Sequence, residues 1–252
     1  MKLHRKEQIK ELIKEKGKIS LDELFKRYPE VSTMTIRRDL LSLEDEGVIL
    51  RVRRGAVYID ELKKKTEDTY NMRTAENVEK KKLIARKAVN LIEPSHSLFI
   101  DSGSTTYFFA KELPDIQFFI TTNGLNIATE LSKNTMCAVT MVGGIISKNN
   151  LAASGQFAET LLDKVNIDTA VMACSAFDYS NGFTTGSQSE ARLKAKVIEK
   201  ARMVIMLVDS TKLSKSMPYT FAGLDDIDIF VSDEDCPESL KEDFKNRNIV
   251  VL

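Results

Sequence analysis

From Ser97 onward the chain repeats one pattern: a short apolar run, a polar or glycine-bearing turn, then a longer amphipathic stretch. The runs SLFID, FFITT, AVTMV, TAVMAC, VIMLVD, DIFVS and IVVL have the length of strands, and their nearly unbroken apolar character is that of strands buried on both faces. Helical stretches over 105–113, 124–132, 155–164 and 188–201 separate several of them. This alternation predicts an α/β domain with a mostly parallel sheet covered on both sides. Ligands of such sheets bind beyond the carboxyl ends of the strands, so the turns found there are the first place to look for chemistry.

The first of these strands runs through Asp101-Ser102-Gly103-Ser104-Thr105-Thr106 directly into a helix. A Gly-Ser-Thr-Thr turn at a helix start offers backbone amides, the positive end of the helix dipole and hydroxyls, which together suit a phosphate. A plain helix cap is the other reading of the same residues. Thr121-Thr122-Asn123-Gly124, Gly143-Gly144 and Asp209-Ser210-Thr211-Lys212 are turns of the same kind, and Lys212 follows a strongly apolar strand, where its ammonium is placed to meet a phosphate or carboxylate. Glu190 and Lys194, four apart on a helix, are either an ordinary surface ion pair or, if that helix starts at the pocket mouth, partners for sugar hydroxyls. Neither G-x-G-x-x-G nor G-x-x-x-x-G-K-[ST] occurs, so dinucleotide and P-loop readings lack their fingerprints and a small phosphorylated molecule is the expected ligand.

The first sixty residues follow different rules. Ile9, Leu12 and Ile13 mark an amphipathic helix over 4–16 that ends at Gly17. Ser20-Leu-Asp-Glu23 is a capping box that opens a second helix, which stops near Pro29. Ser32 or Thr33 caps a third, with Ile36, Leu40 and Leu43 on one face and Gly47 at its end. Helical geometry then turns Met34, Arg38 and Ser42 outward and sets Thr35 and Arg37 on the flanks. Val48, Leu50 and Val52 alternate with Ile49, Arg51 and Arg53, and a turn at Arg54-Gly55 leads into Ala56–Ile59, a basic hairpin. Three short helices and a hairpin make a winged helix-turn-helix: Arg38 and Thr35 are expected to meet bases, Arg37, Arg51, Arg53 and Arg54 the phosphates of double-stranded DNA, and Ser32 and Thr33 at the helix start are also DNA-binding candidates. A solvated Arg-Arg face, paired along the helix with Asp39, Glu44, Asp45 or Glu46, is the bland alternative.

Charge supports the division. Residues 1–87 hold 23 Lys and Arg against 16 Asp and Glu, and the remainder 14 against 21, so a neutral chain carries a basic first part. The stretch 60–82 is highly charged, with few large apolar residues, and is read as a solvated connection. The expected organisation is therefore a DNA-binding domain over 1–60, a charged linker over 61–80 and a second domain over 81–252. No apolar run approaches a membrane span, which predicts a cytoplasmic protein with no membrane partner. Cys137, Cys174 and Cys236 are far apart and read as ordinary thiols, and His4 and His96 lack companions at metal-ligand spacing, so no metal or cofactor is expected.

Ser32-x-x-Thr35-Ile36-Arg37-Arg38-Asp39-Leu40, then Leu43-Glu44-x-x-Gly47 and arginines ahead of Gly55-Ala56, resembles the DNA-binding domain of the DeoR family of bacterial transcriptional regulators over residues 4–58. The wing departs from the family pattern, with Arg53-Arg54-Gly55-Ala56 in place of His-Gly-Gly-Ala. The motifs DSGSTT, TNG, VGG, E-x-x-x-K and DSTK occur in the order of the family's effector domain, over roughly 70–235. That domain is similar in fold to ribose-5-phosphate isomerase. The resemblance implies pocket roles for Asp101, Gly103, Thr105, Thr106, Asn123, Gly144, Glu190, Lys194, Asp209 and Lys212, with Ser104 beside them in the phosphate-suited turn. Ala176 stands where the family often has glycine, and Leu213-Ser214 where it has Phe-Gly. What the resemblance implies is a repressor of carbohydrate-metabolism genes controlled by a phosphorylated sugar, bound to operator DNA as a homodimer or higher homo-oligomer, without catalytic residues. The competing expectation is a sugar-phosphate isomerase-like enzyme with an appended DNA-binding module, in which Asp101, Glu190 and Lys212 act as base, acid and electrostatic stabiliser.

Overall fold

The computed structural model describes residues 2–59 and 70–252, and the chain divides into two compact units, Met1–Glu67 and Asp68–Leu252.

In the first unit α1 (Lys2–Lys16) ends at Gly17, whose φ of 72° lies in the left-handed region that glycine favours. After β1 (Lys18–Ser20), the Ser20 hydroxyl accepts the Glu23 amide at 3.1 Å and caps α2 (Leu21–Arg27). The Glu23 carboxylate, expected to reciprocate, pairs with Lys16. Ser32 caps α3 (Thr33–Asp45), and Ile36, Leu40 and Leu43 close a core with Ile9, Ile13, Leu24 and Ile49. Asp39 is buried and pairs at 2.8 Å with Arg5, which ties α3 to α1 and takes one of the expected partners away from the Arg37-Arg38 pair.

The wing is β2 (Ile49–Val52) and β3 (Gly55–Tyr58), joined with β1 in the antiparallel order β1-β3-β2. The buried residue of β2 is Ile49, while Leu50 and Val52 are 45% and 47% exposed. The turn lies at Arg53-Arg54, one residue earlier than expected, and neither arginine has positive φ, so the loop has no need of the glycine that other members of the pattern carry. Gly55 is required for another reason: a Cβ there would stand 2.0 Å from the carbonyl oxygen of Ile19 where β1 crosses β3.

The second unit begins with two helices, α4 (Tyr70–Ala75) and α5 (Val78–Val89). The stretch expected as a charged linker over 61–80 thus contains α4 and the first turn of α5, with Tyr70 buried, and residues 61–69 lie outside the described residues. The sheet consists of β4 (Ser97–Ile100), β5 (Phe118–Thr122), β6 (Cys137–Met141), β9 (Ile167–Ala173), β12 (Ala201–Leu207), β14 (Ile229–Val231) and β15 (Val250–Val251), the seven expected runs. All its pairings are parallel, in the order β15-β14-β12-β9-β4-β5-β6. Successive residues go to opposite faces. Ala170 and Met172 of β9 pack with the helices α8 (Gln156–Leu162), α9 (Gln188–Lys200) and α10 (Glu238–Asn246), while Val171 packs with α5, α6 (Ser104–Glu112) and α7 (Leu125–Leu131). Two smaller antiparallel elements complete the unit, a hairpin of β7 (Ile145–Ile146) with β8 (Ala153–Ser154), and a sheet of β10 (Ala176–Asp178), β11 (Gly182–Thr185) and β13 (Tyr219–Ala222).

The strand order reverses between β4 and β9: from β4 the chain builds outward one way through β5 to β6, then returns to β9 and builds the other way. Helices on either side of such a reversal diverge and leave a crevice at the carboxyl ends.

Candidate functional site

On the first unit, the surface of α3 is set by its cap. The Ser32 hydroxyl accepts the Thr35 amide at 3.2 Å and lies 2.9 Å from the Thr35 hydroxyl, so these two side chains hold each other at the helix start. Beyond them Thr33, Arg37 and Arg38 are exposed, as is Met34 at 68%. Met34 was not among the expected contact residues, and an apolar side chain so exposed beside two guanidinium groups is suited to a thymine methyl. Ser42, expected outward, is half-buried between Lys6 and Glu46. On the wing, Arg51 folds back onto Glu44, with its Nε at 2.5 Å and its amide at 2.9 Å from the two carboxylate oxygens. These bonds hold Glu44 below the usual carboxylate range, the backbone amide of Arg51 contributing most. Arg51 therefore braces the wing against α3, whereas Arg37, Arg38, Arg53 and Arg54 have no ion-pair partner among the described residues.

On the second unit, a narrow cleft opens at the strand reversal. The turn after β4 supplies Ser102, Gly103, Ser104 and Thr105, and the end of β9 supplies Ala173, Cys174 and Ser175. Glu190 and Lys194 come from α9, Lys212 from the turn after β12, and Arg73 from α4. The first amides of α6 lack acceptors within the helix and open toward this end of the sheet. Gly103 precedes them in extended backbone, and a Cβ there would sit 3.1 Å from the Thr106 hydroxyl and 3.4 Å from the Ala173 methyl.

Beneath the cleft lies a buried ionic network. Lys194 Nζ bonds to Asp101 Oδ2 and donates to the Ala173 carbonyl at 2.8 Å, with Glu190 Oε1 at 3.4 Å. Glu190 Oε2 accepts from Asn150 at 2.7 Å, and Asp101 Oδ2 accepts the Ala173 amide at 3.1 Å. Glu190 and Lys194 are thus a buried pair and not a surface one. Burial lifts the Asp101 carboxyl above its usual range; on Lys194 burial is outweighed by the Asp101 and Glu190 carboxylates, which hold the ammonium above the ordinary lysine value. Asn123 sits one shell further out: its Oδ1 accepts the Ser102 amide at 2.7 Å and its Nδ2 donates to the Ser102 hydroxyl at 3.3 Å, fixing the turn. Thr106 donates to the Gly103 carbonyl at 3.2 Å and steadies the same turn from the helix side.

Asp209 shapes the facing wall. Its Oδ1 accepts the Thr211 amide at 3.2 Å and the Thr211 hydroxyl, and the short turn Ser210–Lys212 that results carries Lys212 to the cleft. Lys212 has no ion-pair partner among the described residues. Ser214, where the resembling family has glycine, has φ 56°, the conformation glycine adopts most readily. Gly144 is not brought to the cleft. It follows β6, the edge strand two places from the reversal, and a Cβ on it would stand 2.4 Å from the Ser154 carbonyl, so it serves the β7–β8 hairpin.

Arg73 and Cys174 were not expected. Arg73 lay in the stretch read as linker, and nothing in its surroundings distinguishes it from the other cations there. Cys174 could be found only from its place at the end of an apolar run; burial pushes its thiol up to about 12, so it lines the cleft as a neutral group. Among the described residues no cluster of three His, Cys, Asp or Glu is placed to hold a metal ion, and no helix is long and apolar enough to cross a membrane.

A winged helix-turn-helix with exposed guanidinium groups, joined to an α/β unit with a cationic cleft at its strand reversal, defines a DNA-binding regulator with a sensor domain. Residues 5–62 match the family model of the DeoR-like helix-turn-helix domain, and residues 76–234 that of the DeoR C-terminal sensor domain. The chain belongs to the DeoR family of transcriptional regulators. It is 32% identical to the HTH-type transcriptional regulator GlpR of Haloferax volcanii, over 98% of this chain and 96% of the relative. It is 30% identical to the putative aga operon transcriptional repressor of Escherichia coli O157:H7, over 98% and 92%, and 30% identical to the L-fucose operon activator of Haemophilus influenzae, over 99% of each. Among solved structures, ribose 5-phosphate isomerase A of Methanocaldococcus jannaschii aligns with a TM-score of 0.42 at 18% identity, over 56% of each chain.

The ionic network yields a stability prediction. Lys194 is bound more tightly to its proton in the fold than in the open chain, so its contribution is complete below the ordinary lysine pKa and is lost as pH rises through the folded value. Lys194→Met leaves two buried carboxylates without their countercharge and is expected to cost about 3–5 kcal/mol in urea unfolding at neutral pH, with partial recovery on adding Asp101→Asn. A loss below about 1 kcal/mol contradicts the role assigned to the pair.

Proposed function

We propose that this protein is a cytoplasmic repressor of carbohydrate-metabolism genes, acting on double-stranded operator DNA as a homodimer or higher homo-oligomer, and that the cleft of its second unit binds a phosphorylated sugar. The observation that carries this reading is Lys212, a cation with no ion-pair partner among the described residues, lining the same cleft as the Ser102–Thr105 turn at the start of α6. A dianionic phosphate satisfies both at once: the ammonium as a charge partner and the helix amides and hydroxyls as donors. Glu190 and Ser175 on the remaining walls suit sugar hydroxyls. The names of two relatives, an aga operon repressor and an L-fucose operon activator, support a carbohydrate operon as the target.

A binding role is favoured over turnover by the state of the acidic groups. Asp101 and Glu190, the residues an isomerase of this fold would use as base and acid, are both engaged by Lys194. On the DNA side, Arg38 is assigned to a base edge, with Thr33 and Met34 beside it, while Arg37, Arg53 and Arg54 are assigned to phosphates.

Two experiments test these assignments. With an operator selected by the protein from random-sequence DNA, Arg38→Ala is expected to lose about 1–3 kcal/mol of specific binding. Arg54→Ala is expected to lower the dependence of log K on log salt by about one while leaving sequence preference intact. Unchanged discrimination in the Arg38 variant removes α3 from base reading. For the cleft, thermal unfolding is followed with ribose 5-phosphate, fructose 6-phosphate, glucose 6-phosphate, glycerol 3-phosphate and their unphosphorylated parents. One or more phosphates, and no parent, should raise the midpoint of the intact protein, and Lys212→Ala should abolish the rise. A rise of equal size in that variant removes Lys212 from the site.

A further inference from the structure

Parallel sheets are normally covered on both faces, and in the second unit one face is covered only in part. Phe118 and Ile120 of β5, with Cys137 and Val139 of β6, pack against α5, α6 and α7. Successive residues of a strand alternate in direction, so Phe119 of β5 and Ala138 and Thr140 of β6 point to the other face. On that face α8, α9 and α10 cover β4, β9, β12 and β14. Thr121, beside Phe99 of β4, is still buried there, but Phe119 is 52% exposed, and Ala138 and Thr140 are exposed as well. Among the described residues no helix covers these three, and β6 is the outermost strand, so this edge of the sheet has one bare face.

The helix beside this strip is α8, which Ala158 and Leu162 seat on the core with Phe99. One flank of α8 is turned to α9: the Glu159 carboxylate accepts from Arg192 at 2.9 Å, and the Glu159 carbonyl accepts from Lys196 at 2.6 Å. At about 100° per residue Phe157 and Leu161 lie on the other flank, away from α9 and on the side of β5 and β6. Phe157 is 82% exposed. Ile145, which pairs with Ser154 just ahead of α8, is 79% exposed. The same stretches are almost free of charge. Lys148 is the one charged residue from Asn134 to Ala158, and there is none from Ile116 to Thr129, in a chain of which 29% is charged. Exposed aromatic and aliphatic groups in an uncharged surface have the composition of an interface core.

We propose that this surface joins two copies of the chain about a two-fold axis, the Phe157 flank of α8 in each copy lying over the bare β5–β6 strip of the other. The inference rests on the homo-oligomer reading above and names the surface that assembles it. A second copy is the fitting occupant because one copy presents both halves of the contact: an unpartnered helix flank, and beside it a sheet edge that lacks its helix. A two-fold axis brings each half to its complement twice. An uncharged surface also meets its own copy without like-charge repulsion.

The test is the assembly of the full-length protein, measured by sedimentation equilibrium. The wild type should sediment as two or more copies. Phe157→Glu on the helix and Thr140→Lys on the strip should each raise the dissociation constant of the assembly at least about tenfold, because each places an unpaired charge inside the contact. Both positions are exposed, so both variants should keep the circular dichroism of the wild type; should one fail to fold, the other decides. A folded variant that assembles with the wild-type dissociation constant overturns the proposal. A wild type that sediments as a single copy removes the homo-oligomer reading and this inference with it, whereas an assembled wild type with equally assembled variants removes this inference alone.

Discussion

Lys194 bridges three elements that diverge where the sheet reverses its strand order: the carboxylate at the end of β4, the carbonyl at the end of β9 and Glu190 one turn earlier on α9. Placing one ammonium and two carboxylates inside a sheet end is costly, and the Ala173 amide on Asp101 Oδ2 and Asn150 on Glu190 offset part of that cost, while Asp101 Oδ1 has no hydrogen-bond partner among the described residues. The network closes the bottom of the crevice and sets the spacing between the β4 turn and α9. The positions of Ser102, Gly103 and the start of α6 follow from it, and the cleft inherits its shape. Lys194 is neutralised within this network, so the charge available to a ligand comes from the rim, from Lys212.

A sensor of this design works through a difference in affinity between two arrangements of the chain. A ligand held only by the anchored walls would bind tightly and shift nothing. Control of DNA binding requires at least one contact to a part that differs between the states. The DNA-binding unit is built on the opposite principle. Its recognition helix is tied to α1 through Asp39 and Arg5 and to the wing through Glu44 and Arg51, so the arginines that remain are presented from a rigid body.

Most of the fold was legible in the sequence because buried parallel strands leave a strong mark: seven apolar runs became the seven strands of one sheet. The turns at their ends pointed to the crevice, and the strand order explains which of them reach it. Those after β4, β9 and β12 do, and Gly144 after β6 does not. Three features were hidden for a shared physical reason, the formation of contacts between separate helices and strands. Lys81 looks solvated within a run of lysines, yet its head meets the carbonyls of a helix with a single buried apolar residue, Tyr70, too little to announce itself. Arg51, expected at a DNA phosphate, is also paired with Glu44 of α3, which the hairpin pattern alone did not show. The glycine-poor wing turn appeared to depart from its family, yet Gly55 meets the crowding against β1 and the arginines need no special backbone.

The central claim is that occupancy of the cleft and occupancy of the operator are energetically linked. The most direct measurement is the operator affinity of the intact wild-type protein, by fluorescence anisotropy at fixed ionic strength, with and without a saturating amount of the sugar phosphate that stabilises it. A change of about 5-fold to 150-fold in either direction is the predicted result, the span of ordinary allosteric coupling. An affinity that stays the same while the sugar phosphate is demonstrably bound contradicts the account.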